Sequence, residues 1–234
     1  MTILAERARE FGIELSSAPL DAFEVYYREL VAWNSRFNLT TITDRDEVIV
    51  KHFLDSLSVA PALPANAVSL IDVGSGAGFP GLPLKIAFPA LRVTLIDSTG
   101  KKVTFLKHVI AALKLHDATA LHARAEELAH DAAHREKYDA AVARAVADLA
   151  TLLEYALPFV RVGGLFVAQK GVEVEEEVRR AERAIVELGG RLHEVMPVRL
   201  PGLEPRHLIV VDKIAATPRK YPRAGGAAKR KPIG

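Results

Sequence analysis

Four glycines within eight residues, Gly74, Gly76, Gly78 and Gly81, follow a strand-like run in which Asp72 stands among Leu70, Ile71 and Val73. Glycine at this density weakens any fold that does not require it, because each one adds chain entropy that folding must remove. A helical pattern follows at Leu82, Leu84, Ile86 and Ala87. Strand, glycine loop and helix in this order form the opening of a nucleotide-binding βαβ unit. One glycine turns the chain, one lets a ligand approach the backbone, and one lets helix and strand pack closely. The first turn of the helix then offers unpaired N–H groups to that ligand.

Two motif registers are open. Gly76-Ala77-Gly78-Phe79-Pro80-Gly81 fits the G-x-G-x-x-G pattern of NAD-linked oxidoreductases. Gly74-Ser75-Gly76-Ala77-Gly78, preceded by Asp72, fits the alternating glycines of S-adenosyl-L-methionine (SAM) methyltransferases. Val73 is the last strand-like residue, so the turn begins at Gly74 and the second register fits better.

Downstream the chain alternates strands and helices. Further strands are expected at Val93–Asp97, Ala118–Leu121, Ala140–Ala143 and Leu165–Ala168, the last opened by Gly163-Gly164, and around His193–Met196 and Leu208–Val211. Alternation of this kind predicts an α/β fold: a Rossmann-like, doubly wound, mostly parallel seven-stranded sheet. Upstream, residues 1–15, the segment after Ser16 and Asp46–Ala60 have helical spacing, while Trp33–Thr40 reads as a loop anchored by Trp33 and Phe37. Aromatics interleaved with Arg and Asn there could also stack on bases. His52 and Asp55, three apart, are expected to pair structurally. Pro61 and Pro64 mark a break, giving a helical extension over 1–64, a ligand-binding domain over 65–216 and a tail over 217–234.

That tail holds Arg219, Lys220, Arg223, Lys229, Arg230 and Lys231 and no acid, leaving 25 basic against 29 acidic residues elsewhere. A mildly acidic body with a basic end points to a polyanionic partner met by the tail. No apolar run reaches the roughly 18 residues of a membrane span, and the charged start argues against a signal peptide. Absence of cysteine excludes disulfides, thiolate metal sites and a thiol nucleophile. A cytoplasmic monomer with no resident metal is expected.

In a doubly wound sheet the ligand lies at the carboxyl ends of the strands. Those ends carry Gly74, Asp97, Ala125 and Glu126, Arg144 and Lys170. Asp97 stands near the place where an acid accepts ribose hydroxyls in this fold, and would disfavour a 2′-phosphate. Arg144 and Lys170 bring cations to the same edge. The residues also limit the chemistry. Without a thiolate, pyrimidine C5 methylation is excluded. The fourth strand ends in Arg144-Ala145-Val146 rather than the Asp/Asn-Pro-Pro-aromatic signature of amine methylation. Guanine N7 fits what remains, because its exposed lone pair carries no proton and needs no general base.

Across nearly the whole chain the sequence resembles the bacterial 16S rRNA guanine-N7 methyltransferases, the RsmG or glucose-inhibited division protein B family. The resemblance rests on Trp33-Asn34 with Phe37–Thr40, His52 with Leu54-Asp55-Ser56, and Asp72–Gly81. It continues through Asp97-Ser98 with Lys101-Lys102, Glu126-Glu127, Ala143-Arg144-Ala145, Lys170-Gly171, Arg206-His207-Leu208 and Tyr221-Pro222-Arg223. Gln169 departs from it, standing where other members are often apolar. The resemblance implies a SAM-dependent enzyme that methylates a guanine in the 530 loop of 16S rRNA, free or in a small-subunit precursor. It places cofactor contacts at Gly74, Phe79, Ala125, Glu126 and Arg144. The residue reading adds Gly76 and Asp97 to them. Lys170, Arg206, His207 and Arg223 in the tail are the candidate RNA contacts.

Overall fold

A computed structural model describes residues 1–144 and 147–234. Ala145 and Val146, on which part of the fourth-strand signature falls, lie outside the described residues.

The amino-terminal part is helical: α1 (Thr2–Ala8), α2 (Ser17–Phe37), and α3 (Arg45–Val48), which passes through a wider π-helical stretch (Ile49–Leu54) into α4 (Asp55–Leu57). The sheet region follows as β1 (Ser69–Val73), α5 (Gly81–Ala87), β2 (Arg92–Asp97), α6 (Gly100–Ala112), β3 (Ala118–His122) and α7 (Ala125–Leu128). Then come β4 (Tyr138–Arg144), α8 (Leu149–Ala156), β5 (Val160–Lys170), α9 (Glu175–Glu187), β6 (Gly190–Val198) and β7 (Arg206–Lys213). A short α10 (Ala227–Arg230) ends the order.

The seven strands form one sheet in the order β3-β2-β1-β4-β5-β7-β6. β1 to β5 are parallel, and β7 pairs antiparallel with both β5 and β6. Strand order reverses at β1, between β2 and β4, so a crevice opens there at the carboxyl ends. All five residues of β1 are buried, as expected for a strand covered on both faces. Leu70 packs with Leu82, Leu95 and Phe105 on one face, and Ile71 with Ile96, Phe159 and Phe166 on the other.

Two local expectations are corrected, and the order of the tail is resolved. Trp33 to Phe37 is the last part of α2, not a loop. The helix stops because Asn38 turns left-handed, with φ 47°. Asn34 Oδ1 then accepts from the N–H groups of Leu39 and Thr40 at 2.7 and 2.9 Å. Trp33 meets Phe37, Phe105 and His108 in tilted ring contacts, so its ring packs against the fold. Gly163 and Gly164 lie inside β5 rather than before it. The pairing slips there, and a side chain at Gly164 would collide with the Asp139 carbonyl. The basic end is folded onto the body: Tyr221, Ala228 and Ile233 are buried.

The amino-terminal helices share one core with the sheet. Phe23, Tyr26 and Phe53 belong to the same apolar cluster as Leu70, Phe79 and Leu95. Among the described residues no helix is long and apolar enough to cross a membrane.

Candidate functional site

The glycine turn after β1 is held by backbone bonds to the neighbouring strand. Gly74 and Ser75 N–H both donate to Ile96 O, at 2.9 and 3.0 Å. Asp97, ending β2, accepts from Gly76 N–H at 2.9 Å with one oxygen and from Thr99 N–H at 2.8 Å with the other. Each oxygen keeps a second lone pair.

The glycines divide their work. A Cβ on Gly76, whose φ is +60°, would meet nothing in the protein within 4 Å. A Cβ on Gly81 would stand 2.6 Å from Leu95 Cδ2 and 2.8 Å from Asp72 Oδ2. Gly81 therefore allows close packing of α5 on β1, and Gly76 leaves its outer face open to a ligand. Tyr26, from α2, donates its hydroxyl to Ala77 O at 2.5 Å, so the extension fixes the turn from behind.

Asp72 lies beneath this turn, fully buried. Its Oδ2 accepts from Gly81 N–H at 2.9 Å, and its Oδ1 has no hydrogen-bond partner. Burial pushes its pKa up to about 7, an effect that the Gly81 hydrogen bond and the nearby Arg144 charge only partly offset.

Two cavities lie at the carboxyl ends of the strands, the first against the turn itself. The first, about 410 Å³, lies at the ends of β1, β2 and β3 and is lined by Gly74, Asp97, Ser98, Ala125, Glu126 and Tyr155. Gly225, Gly226, Lys229 and Arg230 close its far side. This size suits a small cofactor. The second, about 330 Å³, lies at the ends of β4 and β5 and is lined by His52, Asp55, Arg144, Gln169, Lys170 and Arg206, among others.

The expected site residues therefore fall in two places. Gly74, Asp97, Ala125 and Glu126 line the first cavity, and Gly76 sits beside them through its bond to Asp97. Arg144 lines the second. Its Nη1 donates to Asp55 Oδ2 at 2.8 Å and to Lys51 O at 3.2 Å. Its guanidinium lies 5.0 Å above the Phe79 ring. Phe79 is buried, stacked on His52 at 4.5 Å and on Tyr26 at 5.5 Å, so its ring supports the turn from beneath. The expected His52–Asp55 pair does not form: Asp55 binds Arg144, and His52 Nε2 lies 3.0 Å from Thr40 Oγ1. Burial and the Arg144 charge pull the His52 pKa down to about 4, so the ring is neutral at pH 7.

The four expected RNA contacts are unequally free. Lys170 is nearly buried, donating to Glu177 Oε1 at 2.7 Å and Ala147 O at 2.5 Å. Arg223 is spread across buried Glu154, with contacts of 2.6 to 3.1 Å. His207 Nδ1 lies 2.9 Å from Gly171 O. Arg206 is the most open of the four, its side chain 39% exposed at the rim of the second cavity. Tyr155 and the Gly225–Arg230 segment also border the first cavity, beyond the residues expected from sequence. Nothing local marks them, since they reach the cleft through packing of distant segments. Among the described residues no cluster of His, Asp and Glu is arranged to hold a metal ion.

Comparison with known proteins bears on this geometry. The family model for GidB, rRNA small subunit methyltransferase G, matches residues 20–208. A ribosomal RNA small subunit methyltransferase G of Roseiflexus sp. is 52% identical over 233 residues, covering 100% of both chains. A protein of the same name from Chloroflexus aggregans is 48% identical, covering 99% of this chain and 97% of its own. Among solved structures, the ribosomal protein L11 methylase of Lactobacillus delbrueckii subsp. bulgaricus aligns over 70% of this chain and 79% of its own, with a TM-score of 0.53 and 15% identity. TrmN of Thermus thermophilus aligns over 71% of this chain and 53% of its own, with a TM-score of 0.51 and 19% identity. At such identities these two likenesses speak for the fold.

Proposed function

Because the chain belongs to the rRNA small subunit methyltransferase G family, we propose that it transfers a methyl group from SAM to N7 of a guanine in the 530 loop of 16S rRNA. Family membership sets aside the nicotinamide-linked and non-enzymatic readings. The observation that carries the cofactor assignment is the open face of Gly76 beside a cavity edged by two buried carboxylates, Asp97 and Glu126.

The residues present fit SAM. Asp97 and Glu126 supply acceptors for ribose hydroxyls, and the turn from Gly74 to Gly76 brings backbone close without side chains. The unpartnered Oδ1 of Asp72 lies beneath the turn, and its carboxyl, with a pKa raised to about 7 by burial, is only partly ionised at neutral pH. When bound, SAM supplies an electrophilic methyl carbon on a sulfonium. The protein's part is geometric. Guanine N7 has a free lone pair, so no side chain needs to take a proton before attack. His52, neutral at pH 7 and packed on Phe79, is not required as a base. What the chain must do is hold N7 in line with the carbon–sulfur bond, and orientation of that kind can supply roughly 7–11 kcal/mol of the barrier. Arg144 and Arg206 line the cavity on the guanine side of the turn and add positive potential for RNA.

We further assign the work to a cytoplasmic monomer acting on 16S rRNA or a precursor of the small subunit. Residues 1–64 buttress the turn, and 65–216 hold the cofactor with the 225–230 segment of the tail bordering its cavity. Calorimetry tests the cofactor assignment: SAM and S-adenosylhomocysteine should bind once per chain, and Gly76→Val should abolish that binding. NADH binding with no response to either sulfur compound would overturn it.

A further inference from the structure

Among the described residues, three buried side-chain acceptors lack a hydrogen-bond partner: Asp72 Oδ1, Asp55 Oδ1 and Gln169 Oε1. Folded proteins rarely leave such atoms unpaired without a use for them. Asp72 lies beneath the cofactor turn. The other two belong to side chains that line one cavity, at the ends of β4 and β5, on the opposite side of β1 from the cleft assigned to SAM, and both atoms are closed off from solvent there.

Both acceptors are held in place by the bonds their partner atoms make. Asp55 is 4% exposed, and its Oδ2 is taken by Arg144 Nη1 at 2.8 Å. Gln169 is 5% exposed, and its amide donates Nε2 to Asp55 O at 2.7 Å. That bond fixes which end of the amide is nitrogen and leaves Oε1 free. Arg144 and Gln169 sit opposite each other in the β4–β5 ladder, so the cluster is built on strand ends rather than on loops. Arg206 Nε lies 4.0 Å from the free Asp55 oxygen, beyond hydrogen-bond reach, on a half-exposed side chain at the rim.

We propose that this cavity receives the target base and reads it as guanine, with Asp55 Oδ1 and Gln169 Oε1 accepting from its Watson–Crick edge. The inference rests on the guanine-N7 reading above. Guanine presents two adjacent donors there, N1–H and the exocyclic N2 amino group. Adenine presents an acceptor at N1, which would face a carboxylate oxygen, and the pyrimidines offer at most one donor group beside an acceptor or a second carbonyl. The more acidic N1–H meets the carboxylate, and the N2 amino group meets Gln169. Held by that edge, the base keeps N7 and its lone pair on the far side, clear of both acceptors. For the base to reach these covered acceptors the cavity must open: Arg206, 4.0 Å from Asp55 Oδ1, swings aside as the base enters and turns its charge to the adjoining phosphate. A base read on this edge is unpaired, so it must be single-stranded or flipped out of its helix. Asp55 carries the reading; Gln169, which departs from the usual family residue, adds to it in this chain.

The test compares small-subunit RNA carrying guanosine at the target position with the same RNA carrying inosine, which lacks only the N2 amino group. Methyl transfer from labelled SAM is followed with the intact wild-type protein. The expected result is a loss of about tenfold in kcat/KM on inosine, one hydrogen bond's worth. Gln169→Leu should lose about as much on guanosine, methylate both RNAs alike, and bind S-adenosylhomocysteine as the wild type does. Equal rates on the two RNAs with wild-type protein would overturn the proposal while leaving N7 methylation standing. So would a Gln169→Leu protein that still prefers guanosine. Failure of the wild type to methylate the guanosine RNA would instead sink the functional reading itself.

Discussion

Gly76 and Gly81 share a motif but answer to different neighbours, and substitution should separate them. Gly76→Ala puts a methyl group where the protein has no atom within 4 Å. Its positive φ costs about 1 kcal/mol or somewhat more, and the larger effect should be on SAM affinity, measured by calorimetry. Gly81→Ala drives a methyl group against Leu95 and Asp72 and should lower stability by about 1–3 kcal/mol in urea denaturation. Asp72 makes a further prediction. Its carboxyl titrates near pH 7 in the folded protein and near 3.8 when unfolded. Between those values the folded state binds more protons, so stability contributed by this group falls as pH rises from about 4 to 7. Asp72→Asn should flatten that decline, seen as a gain over wild type at pH 7 relative to pH 4.5. A difference between the two proteins that does not change with pH would contradict the burial argument. The residue scale also shows what sequence could convey. The turn was legible because its meaning is local: a strand ends and glycines begin. The partner of Asp55 was not. Three-residue spacing pointed to His52, whereas the structure supplies Arg144 from 89 residues away.

At the level of elements, strands and helices declared themselves wherever periodicity was strong, and the errors lie at junctions. Trp33 to Phe37 looked like a loop because its residues mix aromatic and polar types. The helix persists because Trp33 finds Phe105 and His108 to pack on, contacts that no window of sequence reveals. The basic tail was legible as charge but not as structure. Arg223 lies against a carboxylate with no exposure, Glu154, and the Tyr221 hydroxyl bonds Glu187. Removing Arg223 would strand a buried charge, and Arg223→Ala should cost about 3 kcal/mol or more in urea denaturation. Because Gly225, Gly226, Lys229 and Arg230 border the cavity proposed to hold the cofactor, shortening the chain after Ala216 should weaken S-adenosylhomocysteine binding as well as RNA binding. A truncated protein that binds the cofactor normally would show that the segment merely lies nearby.

For the whole molecule, the division into extension and ligand-binding domain describes sequence better than it describes folding. Tyr26 and Phe53 sit in the same cluster as Phe79 and Leu95, and Tyr26 also holds the glycine turn through Ala77. Residues 65–216 expressed alone should expose this apolar face and fail to fold cooperatively, as monitored by near-ultraviolet circular dichroism and thermal melting. Tyr26→Phe, which removes only the buried hydroxyl, should cost about 1 kcal/mol and loosen cofactor binding without unfolding the chain. The doubly wound sheet itself was readable from alternation, and the switch point at β1 follows from it. The two-cavity arrangement around that point was not, because it depends on how the helical extension closes over β4 and β5. On this arrangement depends the proposal that SAM on one side of the Gly74 turn meets a guanine N7 on the other. The direct test is mass mapping of 16S rRNA from unmethylated small subunits after incubation with the protein and labelled SAM. A single 7-methylguanosine in the 530 loop is expected. Label on a carbon, on an exocyclic amine or on no nucleotide at all would contradict it.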